Sequence, residues 1–258
     1  MIDLIKNRKV KRYLIILGTV GIMVLLYFSI MKKSSQKLAT VNIDIVATDE
    51  AKLLEDVDVL NYLHRVLGQK FEQQKLSGLD LKKIEDILDE SNFISKSEVY
   101  VTSNNILHIK CFLNEPIIRV ANKSKSDFYI DSTGNAIPLS KRAAAHVPML
   151  CGNFSKIDFT KLDKEGTLGN EVLVLSKKIH NDEFLNALVE QIYINDNQKI
   201  ILIPKVGNQK LEFGKLDMID DKLEKIKIFY KTGMTGSGWR KFNTINLEWE
   251  GQVVGSSS

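Results

Sequence analysis

The sequence contains few of the residues that carry catalytic or metal-binding chemistry. Its 258 residues include two cysteines and four histidines. Two cysteines are too few for the disulfide framework that stabilises many small secreted domains. The histidines are scattered, without the H-E-x-x-H pattern or any other paired spacing of zinc ligands. We therefore expect no metal site, no cofactor and no disulfide scaffold.

The two cysteines, Cys111 and Cys151, leave two alternatives open. They could pair outside a reducing compartment, but their sequence separation says nothing about whether their Cα atoms approach closely enough for a disulfide. Unpaired, each would behave as a small apolar side chain.

Motifs for nucleophilic catalysis and phosphate binding are also missing from the sequence. No G-x-S-x-G nucleophile elbow occurs. The cluster Gly233, Gly236 and Gly238 has the spacing G-x-x-G-x-G, with a predicted helix before it and a predicted strand after it. A phosphate-binding loop has the reverse order of elements. We therefore predict no catalytic residues and no small-molecule ligand.

The charge distribution excludes a nucleic-acid-binding surface of the usual kind. The net charge of +4 combines +6 from residues 1–33 with −2 from the rest of the chain. The larger part is thus nearly neutral and mixes both signs, whereas a nucleic-acid-binding domain needs a basic face.

One long apolar run stands out against this background. Residues 13–31 are nineteen residues without a charge, and as a helix they would span about 28 Å, close to the ~30 Å hydrocarbon core of a bilayer. Five Lys or Arg residues precede the run and three lysines follow it by residue 37. The more basic flank lies on the cytoplasmic side of most membrane proteins. We therefore predict a single-pass protein with a cytoplasmic N-terminus and an extracytoplasmic C-terminus.

A cleaved signal peptide is the alternative interpretation of this run. Its apolar region would be shorter, about 7–15 residues, and would end in a small-x-small cleavage site. The sequence that follows here, KKSSQKLAT, is basic and has no good Ala-x-Ala site. The pattern favours an uncleaved anchor.

The next part of the chain predicts a compact module of three strands and two helices. Residues 41–46 alternate as a half-buried strand does. Two stretches with helical spacing follow, at 53–68 and 79–91, and the second has Asp80 as its cap. Two further alternating stretches, at 94–103 and 106–116, predict a hairpin. The order is strand, helix, helix, strand, strand.

The rest of the chain has a mixed, β-rich pattern. We predict, in order, a hairpin at 128–140, a helix running into a strand at 185–196, two strands at 197–214, an amphipathic helix at 218–231 and a final strand at 239–254. The predicted fold class is therefore α+β, with one N-terminal transmembrane helix.

The order of these parts resembles the FtsQ/DivIB family of bacterial cell-division proteins. The more specific stretches are NEPIIRV at 114–120, FYIDSTGNAIPLS at 128–140 and the C-terminal INLEWEGQVV. The resemblance implies the following division of the chain: a cytoplasmic tail at 1–12, the transmembrane helix at 13–31, a tether at 32–39, a POTRA-like domain at 40–117, an FtsQ-type β domain at 118–254 and a flexible tail at 255–258.

The resemblance also implies a function. Proteins of this family are non-enzymatic scaffolds of the divisome at the septum of the inner membrane, linked to septal peptidoglycan synthesis. Their last strand binds the small single-pass FtsB/DivIC-like and FtsL-like proteins, and the POTRA-like module is a second place for divisome membrane proteins to bind. The matching positions in this sequence predict the following partner-binding residues: Thr244, Ile245, Asn246, Leu247, Trp249, Gln252, Val253 and, in the loop before them, Trp239.

Two other functions are weighed against this one. A membrane-anchored cell-wall hydrolase would need a carboxylate pair or a metal cluster, which these residues do not provide in any recognisable pattern. A POTRA-type chaperone or secretion component would be expected to carry more modules or a β-barrel of many alternating segments.

Overall fold

The computed structural model describes most of the chain. The described residues are 8–34, 36–47, 52–68, 70, 74–121, 126–233 and 242–257. They divide into two compact units. The first consists mainly of the residues before Cys111, and the second mainly of Phe112 to the C-terminus. The predicted α+β class is confirmed.

The first helix contains the apolar run. Helix α1 spans Arg8–Ser34, and the stretch Arg12–Ser29 within it is long and apolar enough to cross a membrane. None of that stretch is buried against the rest of the protein, so its apolar side chains are available to lipid.

The residues after α1 differ from the predicted tether. The helix continues to Ser34, and only three positions later Lys37 forms an antiparallel bridge with Lys75. Leu38 is buried, with 4% of its surface exposed. The pairing that orders this segment is made with residues almost forty positions away in the chain, so the local sequence gave no sign of it.

The POTRA-like part of the chain has the predicted order of elements. They are β1 (Thr40–Val46), α2 (Asp56–Leu67), a short 3-10 turn (Leu76–Gly78), α3 (Leu81–Asp89), β2 (Ile94–Val101) and β3 (Ile106–Leu113). The three strands form one sheet in the order β1-β3-β2. Asp80 caps α3 as predicted, because its carboxylate accepts a hydrogen bond from the Lys83 N–H at 3.0 Å.

The second unit is built on a nine-stranded sheet. Its strands are β4 (Pro116–Val120), β5 (Phe128–Asp131), β6 (Ala136–Pro138), β7 (Met149–Gly152), β8 (Val189–Ile194), β9 (Ile200–Pro204), β10 (Lys210–Gly214), β11 (Thr244–Asn246) and β12 (Val254–Ser256). Their order across the sheet is β12-β11-β10-β9-β8-β7-β4-β5-β6. Both parallel and antiparallel neighbours occur, since β4 with β7, β7 with β8 and β10 with β11 are parallel pairs.

Helices pack against this sheet. They are α4 (Leu168–His180), α5 (Glu183–Leu188) and α6 (Ile219–Ile228), which continues as a π-helical turn over Phe229–Gly233. Buried side chains of the helices and of the strands form one hydrophobic core. In β8, for example, Ile192 and Ile194 are fully buried whereas Tyr193 between them is 40% exposed.

Two features of the second unit depart from the predictions. Strands β4 and β7 and helix α4 were not assigned from the sequence, although Thr167 caps α4 by accepting a hydrogen bond from the Asn170 N–H. The final strand predicted at 239–254 is two short strands separated by a turn, and β12 includes Gly255 and Ser256, which were assigned to a flexible tail.

Local hydrogen bonds explain why the predicted strand is interrupted. Beyond β11, the Asn246 side chain accepts a hydrogen bond from the Glu248 N–H at 2.9 Å, which bends the chain out of the extended form. Gly251 then adopts a φ of 65°, a conformation that favours glycine. The apolar alternation from Ile245 to Trp249 therefore continues past the point where the strand ends.

Gly152 provides a test of the parallel pairing of β7 and β8. It has a φ of 109°, and a Cβ atom there would lie 2.0 Å from the Ile194 carbonyl oxygen. Gly152→Ala should therefore destabilise the second unit by about 2–4 kcal/mol, through backbone strain and displacement of β8. Gly166→Ala is the matched control, because Gly166 also has a positive φ but has open space around it. It should cost only about 1–2 kcal/mol. Denaturant unfolding of the two variants measures the difference, and equal losses would contradict the packing described.

Candidate protein-binding site at the carboxyl-terminal strands

The C-terminal strands occupy one end of the nine-stranded sheet. Strand β11 pairs with β10 in parallel, through Leu211 and Ile245, and with β12 antiparallel, through Ile245 and Gly255. Because β11 has a neighbour on each side, its backbone is not an edge. The outermost strand at this end is β12.

The hydrogen-bonding pattern determines which backbone groups of β12 point outward. Leu247 N–H donates to the Glu212 carbonyl, so Leu247 faces β10, and alternation directs Thr244 and Asn246 toward β12. Their partners in β12 are Ser256 and Val254. Gly255 lies between these two residues.

The N–H and C=O of Gly255 therefore point away from β11. A sheet edge with outward-pointing backbone groups can accept another strand. The opposite edge of the sheet is different, because β6 contains Pro138, which has no N–H to donate. Strand addition is thus better supported at β12 than at β6.

The side chains predicted to contact a partner fall into two groups. Ile245 and Leu247 are buried in the core, with 1% and 0% of their surface exposed, so neither side chain is an exposed anchor, and the assignment of these two residues to the partner-binding site stays a prediction. Trp249 is 61% exposed, and Gln252 is also exposed. Thr244, Asn246 and Val253 are half-buried. Trp239 lies outside the described residues.

The turn that carries Trp249 is tied to helix α6. Lys225 Nζ donates to the Trp249 carbonyl oxygen at 3.0 Å. The same ammonium group pairs with Asp221 at 2.7 Å, and the Lys225 side chain is only 11% exposed. These contacts of Lys225 hold the backbone of the turn in place, while the indole ring of Trp249 remains mostly in solvent.

A second ion pair joins the start of the turn to the neighbouring strands. Lys199 Nζ lies 3.0 and 2.9 Å from the two carboxylate oxygens of Glu248. Hydrogen bonding to the Glu248 carboxylate, together with its negative charge, raises the pKa of Lys199 above its usual value. In addition, the Asn246 amide donates to Glu212 at 2.9 Å across the β10–β11 pair. The residues after β11 are therefore held at several points.

An aromatic side chain packs directly on β12, a feature that sequence reasoning missed. A Cβ atom at Gly255 would lie 2.5 Å from the Phe242 ring, so this ring occupies the space that a side chain would need. Phe242 in turn contacts Phe229 edge-on, with ring centroids 6.1 Å apart. The glycine was overlooked because GSSS has the composition of a linker, but its position after two valines was a usable signal.

The described residues do not form a metal-binding cluster. No three or more of their His, Cys, Asp or Glu side chains are grouped so that they could hold a metal ion. His180 pairs with Glu115 at 3.2 Å, and His108 stacks on Tyr100. Cys111 and Cys151 are both free thiols, and burial raises the pKa of Cys111 to about 12.

Comparison with protein families agrees with this architecture. A POTRA-like domain model matches residues 36–111, and the model described as FtsQ/DivIB, C-terminal related matches residues 115–256. Together they define a POTRA-containing protein of the bacterial divisome, and the apolar helix α1 fits a single-pass membrane protein. The chain belongs to the FtsQ/DivIB family. No curated protein matches its sequence significantly.

The contrast between Leu247 and Trp249 can be tested by stability measurements. Leu247→Ala should destabilise the second unit by about 2–5 kcal/mol, because it leaves a cavity in the core. Trp249→Ala should change stability by no more than about 0.5 kcal/mol, because the ring is mostly in solvent. Denaturant unfolding of the full chain in detergent measures both. A large loss for Trp249→Ala would show that the indole belongs to the core.

Proposed function

We propose that the protein is a non-enzymatic scaffold of the divisome that binds FtsB/DivIC-like and FtsL-like single-pass proteins at β12. Through them it links the septum to peptidoglycan synthesis. The observation that carries this proposal is the outward-facing backbone of Gly255 at the end of the sheet. Family membership supports the divisome role, and the strand geometry supports the mode of binding.

Strand addition would give this interface both affinity and selectivity. Each backbone hydrogen bond contributes about 1 kcal/mol net, so a pairing around a three-residue strand is weak by itself. Trp249 and Val254, which are 61% and 45% exposed, are apolar groups that a partner can cover. Tryptophan is prominent among the residues that dominate interface free energies. In this proposal the backbone sets the register and these side chains select the partner.

The membrane helix favours binding by raising the local concentration of the partners. Partners confined to the same membrane plane as α1 meet the β12 edge at a high effective concentration, so a modest intrinsic affinity is sufficient. The charge distribution around α1 favours a cytoplasmic N-terminus and an extracytoplasmic C-terminus in the inner membrane. We place the second unit on the side of the membrane where septal peptidoglycan is made.

Ser257 allows the outward face of β12 to be tested with little structural change. It is exposed and lies two residues after Gly255, so its N–H continues the outward alternation. Ser257→Pro removes that donor and should weaken partner capture by about fivefold, the equivalent of one backbone hydrogen bond. Ser257→Ala keeps the donor and should bind normally. Trp249→Ala should weaken partner capture more than Ser257→Pro does.

The measurement is quantitative capture by the full chain in detergent or nanodiscs. The probes are the purified FtsB/DivIC-like and FtsL-like proteins of the same organism. Unchanged capture by both Ser257→Pro and Trp249→Ala would place the binding site elsewhere. A hydrolase would instead be revealed if the purified chain released soluble fragments from peptidoglycan, and the scaffold proposal expects no such release.

A further inference from the structure

The structure brings two lysines together next to the membrane helix. Lys37 and Lys75 are direct partners in an antiparallel bridge. The flanking hydrogen bonds, from Leu38 N–H to Gln74 and from Leu76 N–H to Gln36, make them a non-hydrogen-bonded pair. In such pairs the Cα atoms are about 4.5 Å apart and the side chains lie on the same face. Both lysines are exposed.

This arrangement is unfavourable unless another group compensates for it. Like charges directly opposite each other destabilise a strand pair. In the part of the chain that the structure describes, no acidic side chain pairs with either lysine, whereas the exposed Lys82 and Lys96 each have such a partner. An anion placed between the two ammonium groups would relieve the repulsion.

The covalent structure keeps this pair close to the end of the membrane helix. Lys37 is three residues after Ser34, the last residue of α1, so the two Cα atoms are no more than about 11 Å apart. The bridge in turn holds Lys75 beside Lys37. The polar headgroup layer extends about 5–8 Å beyond the hydrocarbon core. The flexible stem of lysine lets its ammonium group reach back into that layer.

We propose that Lys37 and Lys75 form a binding site for the phosphate groups of anionic phospholipids at the bilayer surface. The bridge presents two positive charges on one face, and lipid headgroups supply the negative charge that the described part of the chain does not. The attraction acts within about a Debye length, ~10 Å at 0.1 M salt. Each lysine near the surface is expected to raise the affinity for an anionic bilayer about fivefold. The site is separate from the β12 edge and does not depend on the proposed scaffold function.

Amine reactivity of the full chain in nanodiscs tests this site. The rate of acetylation by a water-soluble ester would be measured at each lysine by mass spectrometry, in phosphatidylcholine and in a 7:3 mixture with phosphatidylglycerol. Lys37 and Lys75 should react about fivefold more slowly in the anionic bilayer at low salt. Lys156 and Lys164, exposed residues of the second unit, serve as internal references. The difference should disappear at high salt, because the charges are then screened.

A pair of variants separates lipid binding from simple exposure. Lys37→Glu places an acid opposite Lys75, so the reactivity of Lys75 should no longer depend on lipid charge. Lys37→Gln, the neutral control, should reduce the dependence without removing it. The proposal is overturned if Lys37 and Lys75 respond to phosphatidylglycerol no more than the reference lysines do. It is also overturned if inorganic phosphate added to phosphatidylcholine nanodiscs gives the same protection, because the ligand would then be a free anion.

Discussion

Burial of Ile245 and Leu247 is the interaction on which the candidate binding site depends. These two side chains insert into the core of the second unit and hold β11 against β10, even though 29 residues lie between the two strands in sequence. Strand β12 has no comparable anchor of its own, and it is held by its bonds to β11 and by the ring of Phe242. The apolar positions predicted as partner contacts thus hold in place the edge at which we propose that a partner binds.

The edge strands of the two sheets differ in how their outward backbone groups are satisfied. In the POTRA-like sheet, the N–H of Val99 in the edge strand β2 donates to the carboxylate of Glu85 at 2.9 Å, so a side chain satisfies a group that another strand would otherwise use. In the second unit, Pro138 in the edge strand β6 has no backbone N–H, so a donor is missing at that position. Natural proteins protect edges in these ways to prevent unwanted pairing. Against that background, the outward backbone of Gly255 is consistent with an edge kept open for a specific partner.

Sequence periodicity predicted the elements that are amphipathic and locally capped. The POTRA-like order was recovered because α2 and α3 have helical apolar spacing and Asp80 is a clear cap. Helix α4 carried equivalent signals in Thr167 and in Val172, Leu175 and Ile179, but its surroundings are polar and glycine-containing, and it was not assigned. Two other features were not predicted. The interruption of the final strand depends on a local hydrogen bond of the Asn246 side chain, which the apolar alternation of the sequence does not reveal. The ordered structure after α1 depends on pairing with residues near Lys75, which are distant in sequence.

The short connection after α1 has a mechanical consequence. A long flexible linker would absorb a displacement of the membrane helix before any force reached the folded part of the chain. Here Lys37 in the bridge follows Ser34, the last residue of α1, by only three positions, so the connection is short. Tension applied along the chain, for example when the septal membrane constricts, would load the bridge between Lys37 and Lys75 almost at once. The bridge and the hydrogen bonds that flank it would then carry this tension.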